Sequence, residues 1–254
     1  MSTSTPTNDD YAEAFEAAVR KYWTVRATQA QRQIDAGKTD AGTRGEVTGG
    51  AHLDAMAELV ERVFLDAGIP QTLIRRRGRL NLPGFYRPAK EWDLLVIDGN
   101  RLIAAIEFKS QVGPSFGNNY NNRCEEAIGT ATDLWAAYRS GLLGSTKPWV
   151  AYMMFLEEAP GSTSPVTIPA MTYAPDPKFG RAPSYKDRYA ILLDRLFKDD
   201  VYSAACFLTS SADPTTPIHE PVPELSFRNF AAAIKGRVTQ VLNMEPADHP
   251  GGLF

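Results

Sequence analysis

Between Glu91 and Leu156 the apolar pattern changes period more than once, and this order constrains the fold more than any other feature of the chain. Glu91–Ile97 and Leu102–Lys109 read as two strands, and the intervening Asp98-Gly99-Asn100 is a hairpin turn signal. A helical stripe follows at Cys124, Ala127, Ile128, Ala131, Trp135 and Tyr138. Trp149–Leu156 is then apolar without interruption, the signature of a strand covered on both faces. Upstream, His52–Ala67 places Leu53, Met56, Ala57, Val60, Val63, Phe64 and Ala67 on one stripe of a helix that Gly68 stops. Thr72–Arg76 and Arg79–Leu82 read as short strands. The order of helix, strands, helix, strand predicts an α/β fold.

The flanks add to this core. Phe15, Val19, Tyr22 and Trp23 predict an N-terminal helix over about 9–34, and the Gly/Thr-rich stretch Gly37–Gly50 ends it. The proline-rich residues 158–184 read as a long excursion. Beyond them come a helix at Tyr185–Lys198, a strand at Tyr202–Thr209 and a terminal helix at Phe227–Leu242. One domain over residues 1–254, with its core at about 50–156 and C-terminal additions at about 185–242, is the simplest account of the length.

Composition excludes several classes. The longest apolar run, Trp149–Leu156, is far short of the roughly 20 residues that span a bilayer, so no membrane partner is expected. The polar start MSTSTPTNDD has no signal-peptide core, and a cytoplasmic location is expected. Two cysteines, Cys124 and Cys206, and three histidines supply neither a disulfide framework nor a thiolate or imidazole metal cage. No G-x-x-x-x-G-K-[ST] phosphate loop occurs.

The chemistry-bearing residues sit on the two central strands. Glu91-Trp92-Asp93 begins one and Glu107-Phe108-Lys109 ends the other. Carboxylates on neighbouring strands, with the Phe108 carbonyl, suit a hard divalent cation. Glu107 and Lys109 are two apart and share a strand face, so an ammonium stands beside the metal, as phosphodiester hydrolysis requires. A second acid-x-Lys match, Asp176-Pro177-Lys178, lies between prolines where no strand forms and is assigned to a solvated loop. The competing reading of Glu107 is a solvated residue at a strand end. Strand parity separates the two: Asp93 faces Glu107 only if the hairpin has an odd loop, for example Gly99–Arg101, or a bulge.

The stretch EWDLLVIDGNRLIAAIEFKSQVGPSFGNNYNNRCEEAIG resembles the XhoI-type family of type II restriction endonucleases, and its acidic strand pair resembles the wider PD-(D/E)xK nuclease motif. The departure is Trp92, where the motif usually has proline. The resemblance implies a restriction-endonuclease-like core, a mixed central sheet flanked by helices. It implies that Asp93, Glu107 and Phe108 hold Mg²⁺, that Lys109 activates water or neutralises transition-state charge, and that 5′-phosphate ends result. A homodimer cutting double-stranded DNA at a palindrome is also implied, with CTCGAG and 5′ overhangs as the family expectation. Related nucleases often add a glutamate from the first core helix. Glu61, bordering the apolar stripe, fits better than Glu58, though a solvated helix acid is the competing reading.

The DNA surface is expected in the loop after Lys109 and in a basic run. Gln111, Asn118, Asn119, Asn121, Asn122 and Arg123 carry groups that bond base edges or phosphates, and Tyr120 can stack. The asparagines also open a helix whose amides can receive a phosphate. Arg75, Arg76, Arg77 and Arg79 can follow the backbone; a solvated strand edge is the alternative. Residues 71–109 hold eight Lys+Arg against four Asp+Glu, a local charge of +4 that leaves −7 for the rest of a chain whose total is −3. Two other functions remain open from sequence: a repair or junction-resolving nuclease sharing the active site, and a non-catalytic DNA-binding module without metal.

Overall fold

The computed structural model describes residues 11–35, 52–78 and 80–244. The first two residues of the expected N-terminal helix, the Gly/Thr-rich stretch 37–50 and Arg79 lie outside the described residues. Five strands form the main sheet: β1 (Ile74–Arg75), β4 (Leu94–Asp98), β5 (Arg101–Gln111), β6 (Trp149–Glu157) and β7 (Ala204–Ser210), side by side in that order. The β1, β4 and β5 pairings are antiparallel, whereas β5–β6 and β6–β7 are parallel. This mixed α/β sheet flanked by helices agrees with the expected restriction-endonuclease-like fold.

Both faces of the sheet are covered. One packs against α1 (Ala12–Asp35), α2 (Asp54–Asp66) and α6 (Phe227–Leu242) through Leu94, Ile106, Phe108, Met153, Phe155 and Leu208. The other packs against α3 (Phe116–Arg139) and α5 (Tyr185–Lys198) through Leu95, Ala105, Tyr152, Met154 and Phe207. Burial on both sides accounts for the unbroken apolar character of β6. The proline-rich excursion between β6 and α5 opens with the single-turn helix α4 (Pro160–Thr163). Gly68, at φ +109°, closes α2: its amide and that of Ile69 bond the carbonyls of Leu65 and Phe64, a left-handed stop that glycine adopts without strain. Among the described residues, no helix is long and apolar enough to cross a membrane.

Several expected features differ in the structure. The strand over Glu91–Ile97 is broken at Trp92 and Asp93: β3 (Ala89–Glu91) pairs with β2 (Asn81–Pro83) in a separate ribbon, and only β4 joins the main sheet. The loop over 110–123 is shorter than its polarity implies. β5 runs to Gln111 and α3 starts at Phe116, so residues 118–123 occupy the opening turns of a helix. In α3 the buried face runs through Ala127, Thr130, Ala131, Leu134 and Ala137, and Ile128 is rotated outward and exposed.

The register of the central hairpin decides where its acids point. Its loop is the residue pair Gly99 and Asn100, since Asp98 pairs with Arg101 and Ile97 with Leu102. An even loop by itself would put Asp93 and Glu107 on opposite faces. The register then shifts, so that Val96 pairs with Ala104, Leu95 with Ala105 and Leu94 with Ile106. Ile103 is the extra residue of a β-bulge, and both Ile103 and Ala104 pack into the core cluster beneath α1, α2 and α6. Continued by one residue, the shifted register sets Asp93 across from Glu107.

Candidate active site

Glu107 is 2% exposed and accepts hydrogen bonds from two lysines. Lys90 Nζ lies 2.9 Å from its Oε2, and Lys109 Nζ is bonded to its Oε1. Asp93 accepts a hydrogen bond from the amide of Phe108 at 2.7 Å, which ties the loop before β4 to the strand bearing Glu107. Water reaches Asp93 through the mouth of the cleft, but protein packed around its carboxyl raises the pKa to about 6, with the Glu107 charge adding to the shift. Asp93, whose ionisation the Glu107 charge opposes, and Glu107 beside it form a pair of oxygen donors suited to a divalent cation. For Lys109, burial works against the ammonium, but the contact with Glu107 outweighs it and holds the pKa above the ordinary value. At neutral pH Lys109 is therefore a cation, suited to orienting an anion or water and unsuited to removing a proton.

A cleft of about 760 Å³ surrounds this pair. Besides Asp93, Glu107, Phe108 and Lys109, its wall takes Arg26 from α1, His52 and Asp54 around the start of α2, Lys90 from β3, Ser110 from β5 and Arg123 from α3. A larger groove of about 990 Å³, between α1 and residues 210–218, contains none of the acids or lysines of this site. His52 bonds Ser110 Oγ at 3.1 Å and packs edge-on to Tyr22. Burial and the Arg26 charge hold its pKa at about 4, so the imidazole is neutral at physiological pH.

The remaining expected site residues are scattered. Arg123 lines the cleft and pairs with Glu126. Asn118, Asn121 and Asn122 are exposed and Asn119 is half-buried on the first turns of α3, where no side chain caps the helix. Arg75 and Arg77 are exposed. Arg76 is drawn back onto α2, bonded to Glu61 and 3.7 Å from Glu58. Glu61 also accepts from Gln71 and lies outside the cleft wall, whereas Asp54, at the start of the same helix, is part of it. Tyr120 turns towards α5, donating to the Arg188 carbonyl at 3.4 Å and meeting the Tyr189 ring edge-on.

Gln111 is the clear departure from a DNA-contacting reading. It is 3% exposed, its amide nitrogen donates to the Phe116 carbonyl at 2.9 Å, and its oxygen accepts from the Tyr189 hydroxyl. With both ends bonded inside the protein, it splices β5 to the start of α3. Lys90 is the side chain at Glu107 that sequence reasoning missed. It follows a turn flanked by prolines on a short edge strand, and only the fold brings it to Glu107.

A mixed α/β core that brings the carboxylates of Asp93 and Glu107 and the Lys109 ammonium to one cation-lined cleft has the arrangement expected of the PD-(D/E)xK nuclease class. Comparison with known proteins narrows the class. The family model for restriction endonuclease XhoI matches residues 32–217. The type II restriction enzyme BstVI of Geobacillus stearothermophilus is 40% identical over 177 residues, 67% of this chain and 79% of that one. The type II restriction enzyme AbrI of Azospirillum brasilense is 48% identical over 155 residues, 60% of this chain and 69% of that one. The type II restriction enzyme XhoI of Xanthomonas vasicola is 39% identical over 190 residues, covering 74% and 75% of the two chains. No solved structure matches. The chain belongs to the XhoI family of restriction endonucleases.

Proposed function

We propose that this protein makes a Mg²⁺-dependent double-strand cut in a palindromic DNA site, CTCGAG by analogy with its family, leaving 5′ overhangs. The observation that supports the catalytic assignment is the bulge at Ile103, which shifts the register to Leu94–Ile106; continued by one residue, that register sets Asp93 across from Glu107. Asp93, Glu107 and the Phe108 carbonyl would hold the metal. Among the described residues no third His, Cys, Asp or Glu joins them, so water and DNA phosphate would complete the shell. Bound there, Mg²⁺ would neutralise phosphate charge and lower the pKa of water.

The chain's own side chains do the rest. Lys109, held as a cation beside Glu107, orients the attacking oxygen or stabilises the charge that develops on the phosphate. Lys90 neutralises Glu107 in the free protein and becomes available to a phosphate once the carboxylate is otherwise engaged. Arg26 and Arg123 line the same cleft from different helices and favour an anionic substrate. Arg75, Arg77, Asn118, Asn119, Asn121 and Asn122 are the groups that extend this surface along a duplex. Arg76, Tyr120 and Gln111 support it from within. Two copies acting on the two strands of a palindrome account for a double-strand cut.

The test is digestion of mixed-sequence plasmid with Mg²⁺, followed by sequencing of the ends. A single palindromic site with 5′ overhangs is expected, with activity lost in EDTA and restored by Mg²⁺. Lys109→Ala or Asp93→Ala should lose cleavage and keep specific binding; cleavage retained by either variant removes that residue from the mechanism.

A further inference from the structure

The β2–β3 ribbon carries a feature that the proposed chemistry leaves unused. Its turn, residues 84–88, displays Phe85 and Tyr86, which are 51% and 73% exposed. The two rings meet edge to face at 5.0 Å, and Arg87 follows them as the cation of the turn.

Exposed aromatics on a hairpin turn are ordinarily loose, but these are held. Asp133 of α3, 4% exposed, accepts the backbone amides of both Phe85 and Tyr86 at 2.8 Å and pairs with Arg87 at 2.8 Å. Gly84 leaves no room for a side chain: a Cβ there would lie 2.5 Å from the Arg87 carbonyl oxygen and 2.6 Å from Asp133 Oδ2. A buried carboxylate thus fixes the turn's backbone while its two largest side chains face outward.

The turn also adjoins the active site. A cavity of about 640 Å³ runs from Tyr86 and Arg87 to Lys90, Glu107, Lys109 and Arg123, the last four shared with the catalytic cleft. Most of the acids in its wall are already matched by cations: Asp133 by Arg87, Glu107 by Lys90 and Lys109, and Glu126 by Arg123. A polyanion can therefore follow this wall from the catalytic pair to the aromatic turn.

We propose that Phe85 and Tyr86 form a wedge that inserts against a base step of the bound duplex beside the bond to be cut, with Asp133 as the positioning residue that holds it. This rests on the nuclease reading above. Apolar side chains next to cations are the make-up of elements that partly unstack a base step. Lys90, on the same ribbon, bonds Glu107, so engagement of the turn is mechanically linked to the catalytic carboxylate.

The test uses the full-length protein and a duplex carrying the site mapped by end sequencing, with Ca²⁺ replacing Mg²⁺ for the binding measurements. Permanganate reports unstacked thymines. Wild type is expected to make a thymine in or beside the site reactive. Tyr86→Ala should abolish that signal and weaken binding about tenfold to hundredfold, the range for loss of one aromatic–base contact. Tyr86→Phe should restore both, because the ring and not the hydroxyl makes the contact. Unchanged reactivity and affinity in Tyr86→Ala and Phe85→Ala would overturn the wedge, as would loss of dimerisation with an unaltered footprint, which would assign the turn to a subunit contact. Wild-type protein that fails to cut DNA would instead remove the nuclease reading on which the wedge depends.

Discussion

Replacing His52 by Gln isolates one buried titration that links α1 to the strand bearing Glu107 and Lys109. His52 is 9% exposed, and burial, followed by the charge of Arg26, lowers its pKa from 6.5 to about 4. Arg26, Tyr22 and Ser110 are the charged and polar groups facing it. Because the folded pKa lies below the unfolded one, the unfolded chain binds the extra proton between these values. The stability associated with a neutral His52 is therefore complete above about pH 6.5 and is lost as pH falls towards 4. A difference of this size corresponds to at most about 3 kcal/mol, and to about 2 kcal/mol once partial access of water to the ring is allowed for. Urea unfolding of wild type and His52→Gln at about pH 7.5 and about pH 4.5 measures it, the paired comparison cancelling carboxylates that titrate in both. Gln retains an amide able to bond Ser110 but takes up no proton. Wild type should lead at the higher pH, and its lead should shrink by about 2 kcal/mol at the lower one. A lead independent of pH would refute the assignment of a depressed pKa to His52.

Other substitutions probe the site and its supports. Gln111→Ala should destabilise the protein by about 2 kcal/mol, since it removes both buried bonds and leaves the Tyr189 hydroxyl without its Gln111 acceptor, while the salt dependence of DNA binding stays unchanged; a reduced salt slope would restore Gln111 to the DNA surface. Glu107→Gln should abolish metal-dependent cleavage and weaken Mg²⁺ binding, read by titration calorimetry, because it removes one of two carboxylate donors. Gly84→Ala should destabilise the turn by about 1–3 kcal/mol through overpacking, with thermal unfolding as the readout; a neutral effect would show that the turn is less tightly held than its contacts imply.

The elements most legible in the sequence are those whose residues are constrained by local rules. Helices α5 and α6 begin and end where their periodicity and caps place them, with Ser184 and Ser226 as N-caps. The continuous run of β6 signals burial on both faces because helices do cover both. The boundaries that move depend on partners distant in sequence. Polar residues after Lys109 suggest a long loop, yet Gln111 remains in β5, paired with Leu156 of β6, and Tyr189, 78 residues away, bonds its amide oxygen. Lys90 has no local pattern to announce it, and its link to Glu107 exists only because the β2–β3 ribbon folds back over the end of β5. Arg76 belongs to a basic run, but Glu61 on α2 captures it and leaves its neighbours Arg75 and Arg77 exposed.

The central hairpin shows how one residue can decide whether a carboxylate pair is a site. Parity requires either an odd loop or a bulge, and sequence alone does not choose between them. Gly99, at φ +58°, accepts the left-handed backbone of a two-residue turn, which favours the short even loop. Without a further irregularity that loop would pair Asp93 with Ile106 and Glu107 with Trp92, and the two acids would project to opposite faces. Ile103 corrects the register without lengthening the turn, because its side chain is buried and the core stabilises the residue that the ladder leaves unpaired. The bulge is thus retained by packing on the face beneath α1, α2 and α6, while its consequence falls on the opposite face, where Glu107 meets Lys90, Lys109 and Asp93.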